Sequence, residues 1–106
     1  MRGEAIALGP GKAELLEALA STGSIVAAAR ALDMSYNRAW GLVRTMNACF
    51  AGPLVESVRG GAKRGGARLT PRGTSVLRLY RRWEAKALAA TAAEARALRA
   101  HLGRHA

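Results

Sequence analysis

Apolar residues recur at helical spacing in three successive stretches of the chain, and each stretch predicts one helix. In the first, Leu15, Leu16 and Leu19 share the core side of a helix expected over about residues 12–21, with Glu14 and Glu17 turned to water. Residues 5–8 before it are long enough only for an edge strand, and Gly9-Pro10-Gly11 punctuates the chain between the two. In the second stretch Ile25, Ala28, Ala29 and Leu32 fall at i, i+3, i+4 and i+7, a narrow stripe whose alanines let a neighbouring helix approach closely. Ser24 stands where an N-cap belongs. The pattern breaks at Leu32-Asp33-Met34-Ser35, where Asp33 tolerates a left-handed backbone and Ser35 can cap the helix that follows. In that third helix Ala39, Leu42, Val43, Met46 and Phe50 share a face predicted to be buried, while Asn37, Gly41, Arg44 and Ala48 lie opposite. Two helices joined by a tight turn, the second with an outward polar face, form a helix-turn-helix pattern.

After Phe50 the spacing changes. Gly52-Pro53 ends the helix, residues 54–58 have strand propensity, and residues 68–70 are a return strand. Between them Arg59-Gly60-Gly61-Ala62-Lys63-Arg64-Gly65-Gly66-Ala67 makes a wide, basic hairpin loop, the wing of a winged helix. Thr70-Pro71 starts another helix, with a hydroxyl for the cap and proline in the first turn. The abundance of alanine favours one long helix from there to about Leu98. Val76, Leu77, Tyr80, Trp83, Ala87 and Leu88 form a broad apolar side of it, extended by Leu98 and Leu102. The expected fold is therefore mainly α with a small β-hairpin: a winged helix-turn-helix over residues 1–70, a long C-terminal helix over 71–102, and a disordered tail over 103–106. A helix longer than its own domain can cover leaves apolar surface for another chain. A homodimer is expected through Val76, Leu77, Tyr80, Trp83 and Leu88. A helix broken near Thr91, or folded back on its own domain, is the alternative.

Composition adds a partner to this outline. The 106 residues suit one domain, and 17 Lys and Arg against 7 Asp and Glu leave a net charge of +10. The bases are also clustered: Arg59, Lys63, Arg64, Arg68, Arg72, Arg78, Arg81 and Arg82 follow one another with no acid between them. Such clustering suits counterion release from a phosphate backbone, although an anionic lipid surface or a solvated face would need the same residues. On the outward side of the third helix, Asn37 can pair with adenine and Arg44 with guanine in a major groove, and small neighbours allow close approach.

Other chemistry is sparse. GGAKRGGA lacks the spacing of a phosphate-binding nucleotide loop. The seven carboxylates are dispersed, so no acid, base and nucleophile converge and no enzyme is expected. His101 and His105 stand four apart and could share a metal on a helix face, but no third ligand is identifiable and both lie in a terminus prone to fraying. No metal or cofactor is expected. Cys49 is the only cysteine, which excludes an intramolecular disulfide; beside Phe50 it is expected to pack in the core. No apolar run is long enough to span a bilayer and no secretory segment is visible, so cytoplasmic localisation is the expectation, with no membrane partner.

Taken together, Thr22-Gly23-Ser24-Ile25, Ser35-Tyr36 with Ala39-Trp40, Met46-Asn47, Leu54-Val55-Glu56, the glycine-rich wing, and Leu69-Thr70 with Gly73 resemble the DNA-binding domain of ModE-type molybdenum-responsive regulators, winged-helix relatives of the LysR-type domains. The resemblance covers about residues 15–83. It implies that Ser35, Asn37, Arg38 and Arg44 meet DNA from the recognition helix, with Lys63 and Arg64 on the wing, and that the long terminal helix helps to hold a dimer. With the neighbouring Ser24, Tyr36, Arg59 and Arg68, these make the expected DNA-binding set. The carboxy-terminal oxyanion-binding domains of such regulators have no counterpart in these residues, so molybdate is not carried over and the effector is left open. The expected function is a dimeric, sequence-specific regulator on duplex DNA. A nucleoid-type architectural binder and a protein-interaction module on the same fold are the alternatives.

Overall fold

The computed structural model describes residues 8–58 and 66–103. The expected edge strand over residues 5–8 falls mostly outside them; Leu8, its last residue, lies in a bend with its side chain buried. Helix α1, Pro10–Thr22, starts two residues earlier than its apolar pattern, because Pro10 is well placed in a first turn where no amide is needed. It stops at Gly23, whose φ of 73° is left-handed and whose N–H reaches the Leu19 carbonyl at 2.8 Å.

Helices α2 (Ile25–Ala31) and α3 (Tyr36–Cys49) carry the serine caps that the sequence places there. Ser24 Oγ accepts the Ala27 N–H at 3.1 Å, and Ser35 Oγ accepts the Arg38 N–H at 3.0 Å. Asp33 turns the chain between them with a φ of 57°. The three helices close on one core. Leu15, Leu16 and Leu19 from α1, Ile25, Ala28 and Ala29 from α2, and Ala39, Val43 and Met46 from α3 are all buried. Leu32, Leu42 and Phe50 pack against its edge and are only partly covered.

Strands β1 (Val55–Val58) and β2 (Gly66–Leu69) pair antiparallel with Val55 opposite Leu69 and Val58 opposite Gly66. The return strand begins two residues before the expected position. Its early start has a tertiary cause: Gly66 bridges to Ser24, and the Ala67 N–H donates to the Gly23 carbonyl at 3.0 Å. The hairpin is thereby tied to the α1–α2 corner. Leu54, Val55 and Ala67 at its base complete the core.

Helix α4, Pro71–Ala90, is capped by Thr70, whose hydroxyl accepts the Gly73 N–H at 2.9 Å and donates to the Pro53 carbonyl at 2.7 Å. The expected single helix to Leu98 is corrected here: α4 ends at Thr91 and α5, Ala92–Arg99, follows after that one residue. Thr91 Oγ1 donates to the Ala87 carbonyl at 2.8 Å, a back-bond of the kind that weakens a helical ladder, and the Thr91 backbone leaves helical geometry with φ −110° and ψ 13°. The helical pair still projects. The radius of gyration is 16.5 Å, against about 13 Å for a compact chain of this length.

Two side chains depart from expectation. Cys49 is exposed rather than in the core, because one residue before Phe50 means about 100° of rotation around the helix, which carries it onto the flank. Glu17 is not simply solvated. Its Oε1 and Oε2 accept from Arg81 Nη2 and Nε at 2.7 and 3.0 Å, while Arg81 Nη1 donates to Glu84 at 2.8 Å. These bonds hold the Glu17 carboxyl below the usual glutamate range and raise the pKa of Arg81. A lowered folded pKa means that the pair contributes above the pKa of the unfolded glutamate, and that the contribution fades as pH falls through the folded value. With the Glu17 side chain 51% exposed, that contribution is within about 1 kcal/mol. It fixes α4 against α1.

Candidate nucleic-acid interface

Burial of Ala39, Val43 and Met46 fixes the rotation of α3 about its axis, and this decides which of its groups face out. Asn37, Arg38, Arg44 and Ala48 are exposed. Gly41 lies between them, and a Cβ built there would meet nothing within 4 Å, so the centre of this face is open and shallow. The side chains of Arg38 and Arg44 make no hydrogen bond or ion pair with the described residues, which leaves both guanidinium groups available to an anionic partner. Ser24 and Ser35, also expected at the interface, spend their oxygens as acceptors on helix caps and keep hydroxyl hydrogens to donate.

Beside this face stands an aromatic pair. Trp40 Nε1 donates to Tyr36 Oη at 2.6 Å, and the two rings meet edge to face with centroids 6.4 Å apart. Tyr36 is 45% exposed, while Trp40 is half-buried against the core.

The wing is held to α3 by a residue that sequence reasoning left without a role. Asn47 Oδ1 accepts the N–H groups of Leu54 and Val55 at 2.8 and 3.1 Å, and its Nδ2 donates to the Val55 carbonyl at 3.0 Å. The amide thus copies a strand's edge and docks β1 on the flank of α3. A carboxamide just before a Gly-Pro helix stop was the available signal. Arg68 on β2 pairs with Glu56 directly across the hairpin at 2.8 Å, so a phosphate would have to share it with a carboxylate. Arg59, Lys63 and Arg64 lie outside the described residues.

The sequence pattern of bacterial regulatory helix-turn-helix proteins of the lysR family matches residues 11–74, from the start of α1 to the first turn of α4. This chain belongs to that family. The LysR-type domain is also 44% identical over 73 residues to the molybdenum-pterin-binding protein MopB of Rhodobacter capsulatus, a match covering 69% of this chain and 27% of MopB. It is 41% identical over 78 residues to the molybdenum transport protein ModE of Azotobacter vinelandii, covering 74% and 29%. With the DNA-binding transcriptional dual regulator ModE of Escherichia coli K12 it shares 38% over 71 residues, covering 67% and 27%. The chain therefore spans between a quarter and a third of the length of these relatives.

In the LysR-type domain, α4 divides its apolar residues between two surroundings. Val76, Leu77 and Tyr80 are half-buried against the domain's own core. Trp83 and Leu88 are 64% and 66% exposed, joined by Leu79 at 57%, which the sequence pattern did not single out. Leu98 and Leu102 are exposed as well. Of the histidine pair, His101 is exposed and His105 lies outside the described residues; among those residues no group of three metal-ligating side chains occurs. No described helix is long and apolar enough to cross a membrane.

Proposed function

We propose that this chain is a cytoplasmic, sequence-specific DNA-binding transcriptional regulator that acts as a homodimer on a roughly palindromic duplex site. The observation that carries this reading is the open outer face of α3, where Asn37, Arg38 and Arg44 stand uncovered around Gly41 while the inner face is sealed in the core. An α-helix so exposed fits a major groove, with the amide and guanidinium groups at base edges and the cap serines and wing on phosphates. In a dimer, two such helices enter successive grooves about 34 Å apart. The E. coli relative is named for DNA binding, in keeping with this role. Neither an effector nor a cofactor is part of the reading.

Selection of genomic fragments by the purified protein, followed by competition with random duplex, tests it. Arg44→Ala is expected to relax preference at one base position, at about 1–3 kcal/mol of discrimination. Lys63→Ala is expected to weaken all sequences alike and to flatten the salt slope by about one ion. Equal loss on every duplex for both variants removes Arg44 from base reading. Equal affinity of the wild type for specific and random duplex points instead to an architectural binder, and no duplex binding at low salt to a protein partner.

The dimer rests on the apolar surface that α4 leaves uncovered. Trp83→Glu puts a charge on that surface without touching the core of one protomer. Sedimentation is expected to show a folded monomer at concentrations where the wild type is dimeric, with half-site binding retained and the advantage of a full palindrome lost. An unchanged mass places the contact elsewhere.

A further inference from the structure

Tyr36 and Trp40 sit one helical turn apart beside the open face of α3, and their hydrogen bond has a fixed direction. An indole N–H only donates, so at 2.6 Å the Tyr36 oxygen must be the acceptor. That leaves the phenol its own hydrogen, for which the described residues supply no acceptor. Accepting one hydrogen bond polarises the O–H and makes it a better donor. The edge-to-face packing at 6.4 Å and the half-buried position of Trp40 hold the tyrosine ring in one orientation, although the ring itself is 45% exposed. The result is a neutral donor fixed at the rim of the surface that carries Asn37, Arg38 and Arg44.

We propose that Trp40 is a positioning residue for DNA binding: it orients Tyr36 so that the Tyr36 hydroxyl donates to a backbone phosphate oxygen beside the groove that α3 enters. This deepens the DNA-binding reading and rests on it. A phosphate is the fitting acceptor because tyrosine lies on the flank of the helix, about 100° from Asn37, where the duplex presents its backbone rather than its base edges. Trp40 itself touches no nucleic acid. It acts by removing the rotational freedom of a side chain that would otherwise have to be ordered on binding.

Binding isotherms of the full chain on a selected duplex and on a random one, at several salt concentrations, test this with Tyr36→Phe, Trp40→Phe and the double variant. Phenylalanine at position 40 keeps an aromatic ring but loses the donor and one ring of the indole, so the packing loss is separated from the lost hydrogen bond by the double variant. Each single change is expected to lower affinity about three- to tenfold on both duplexes, and the double variant to bind no worse than Tyr36→Phe. The salt slope should not move, since a neutral hydroxyl releases no counterion. Substituting single phosphates by methylphosphonates should expose one position at which the wild type loses affinity and Tyr36→Phe loses nothing further.

Two results overturn the proposal: Trp40→Phe binding as tightly as the wild type, or Trp40→Phe costing the same factor whether or not the Tyr36 hydroxyl is present. The second would mark Trp40 as packing alone, whatever its effect on melting temperature. A wild type that binds no duplex at low salt defeats the DNA reading as well, and is distinguishable because no variant is needed to see it.

Discussion

Replacing Gly73 with alanine is expected to destabilise the domain by about 2–3 kcal/mol and to lower its melting temperature by roughly 10–20 °C. Position 73 lies in the first turn of α4, where glycine-to-alanine would ordinarily gain about 1 kcal/mol in helix propensity. The tertiary contact reverses the sign. A Cβ at this position would run into the Leu54 carbonyl oxygen and stand 2.9 Å from its carbon, and both obstacles are backbone atoms that cannot rotate away. That carbonyl also accepts the Thr70 N–H at 2.9 Å, so moving it strains the cap of α4 and the base of β1 together. Thermal denaturation of Gly73→Ala settles the matter: a variant as stable as the wild type, or more so, would mean that α4 does not lie against Leu54.

Asn47→Ala is expected to cost a similar amount, about 2–3 kcal/mol, and to loosen the wing before the whole domain unfolds. The substitution removes three hydrogen bonds and leaves the N–H groups of Leu54 and Val55 without their acceptor, beside side chains that are fully or nearly fully buried. Because β1 meets α3 through this amide, its loss should also reduce DNA affinity by releasing the hairpin that carries the basic loop. Amide hydrogen exchange gives a local readout. The Leu54 and Val55 amides should exchange faster in the variant, while those in the middle of α1 keep their protection; unchanged exchange at residues 54 and 55 would leave Asn47 with no docking role.

These two positions show where sequence reading reached its limit. Gly73 and Asn47 were both visible as parts of a family-like pattern, but nothing in their neighbours along the chain says what they do. Gly73 is required by a carbonyl 19 residues earlier, and Asn47 binds Leu54 and Val55, 7 and 8 positions later. Cys49 was misplaced for a related reason: hydrophobicity argued for the core, whereas helix rotation, set by what Met46 and Phe50 pack against, put it on the flank. In the candidate site, the outward position of Asn37 and Arg44 was legible from periodicity, and Arg38 joined them only through the family resemblance. The direction of the bond between Trp40 and Tyr36 was not, because i and i+4 spacing says that two side chains are neighbours and not which of them donates.

The sequence by itself determined what depends on a turn or two of chain: the three helices around the helix-turn-helix, the caps at Ser24, Ser35 and Thr70, the left-handed Asp33, and the hairpin whose two strands flank a glycine-rich stretch. Capping and periodicity act between residues three or four apart, so the order of residues contains them. Only the tertiary structure decided how these pieces meet. It bound Glu17 to Arg81 across 64 positions, tied β2 to the corner at Gly23, and left Leu79, Trp83 and Leu88 bare where α4 runs past the core. Such contacts depend on which surfaces come within a few ångströms of each other, and that is set by packing the whole core at once.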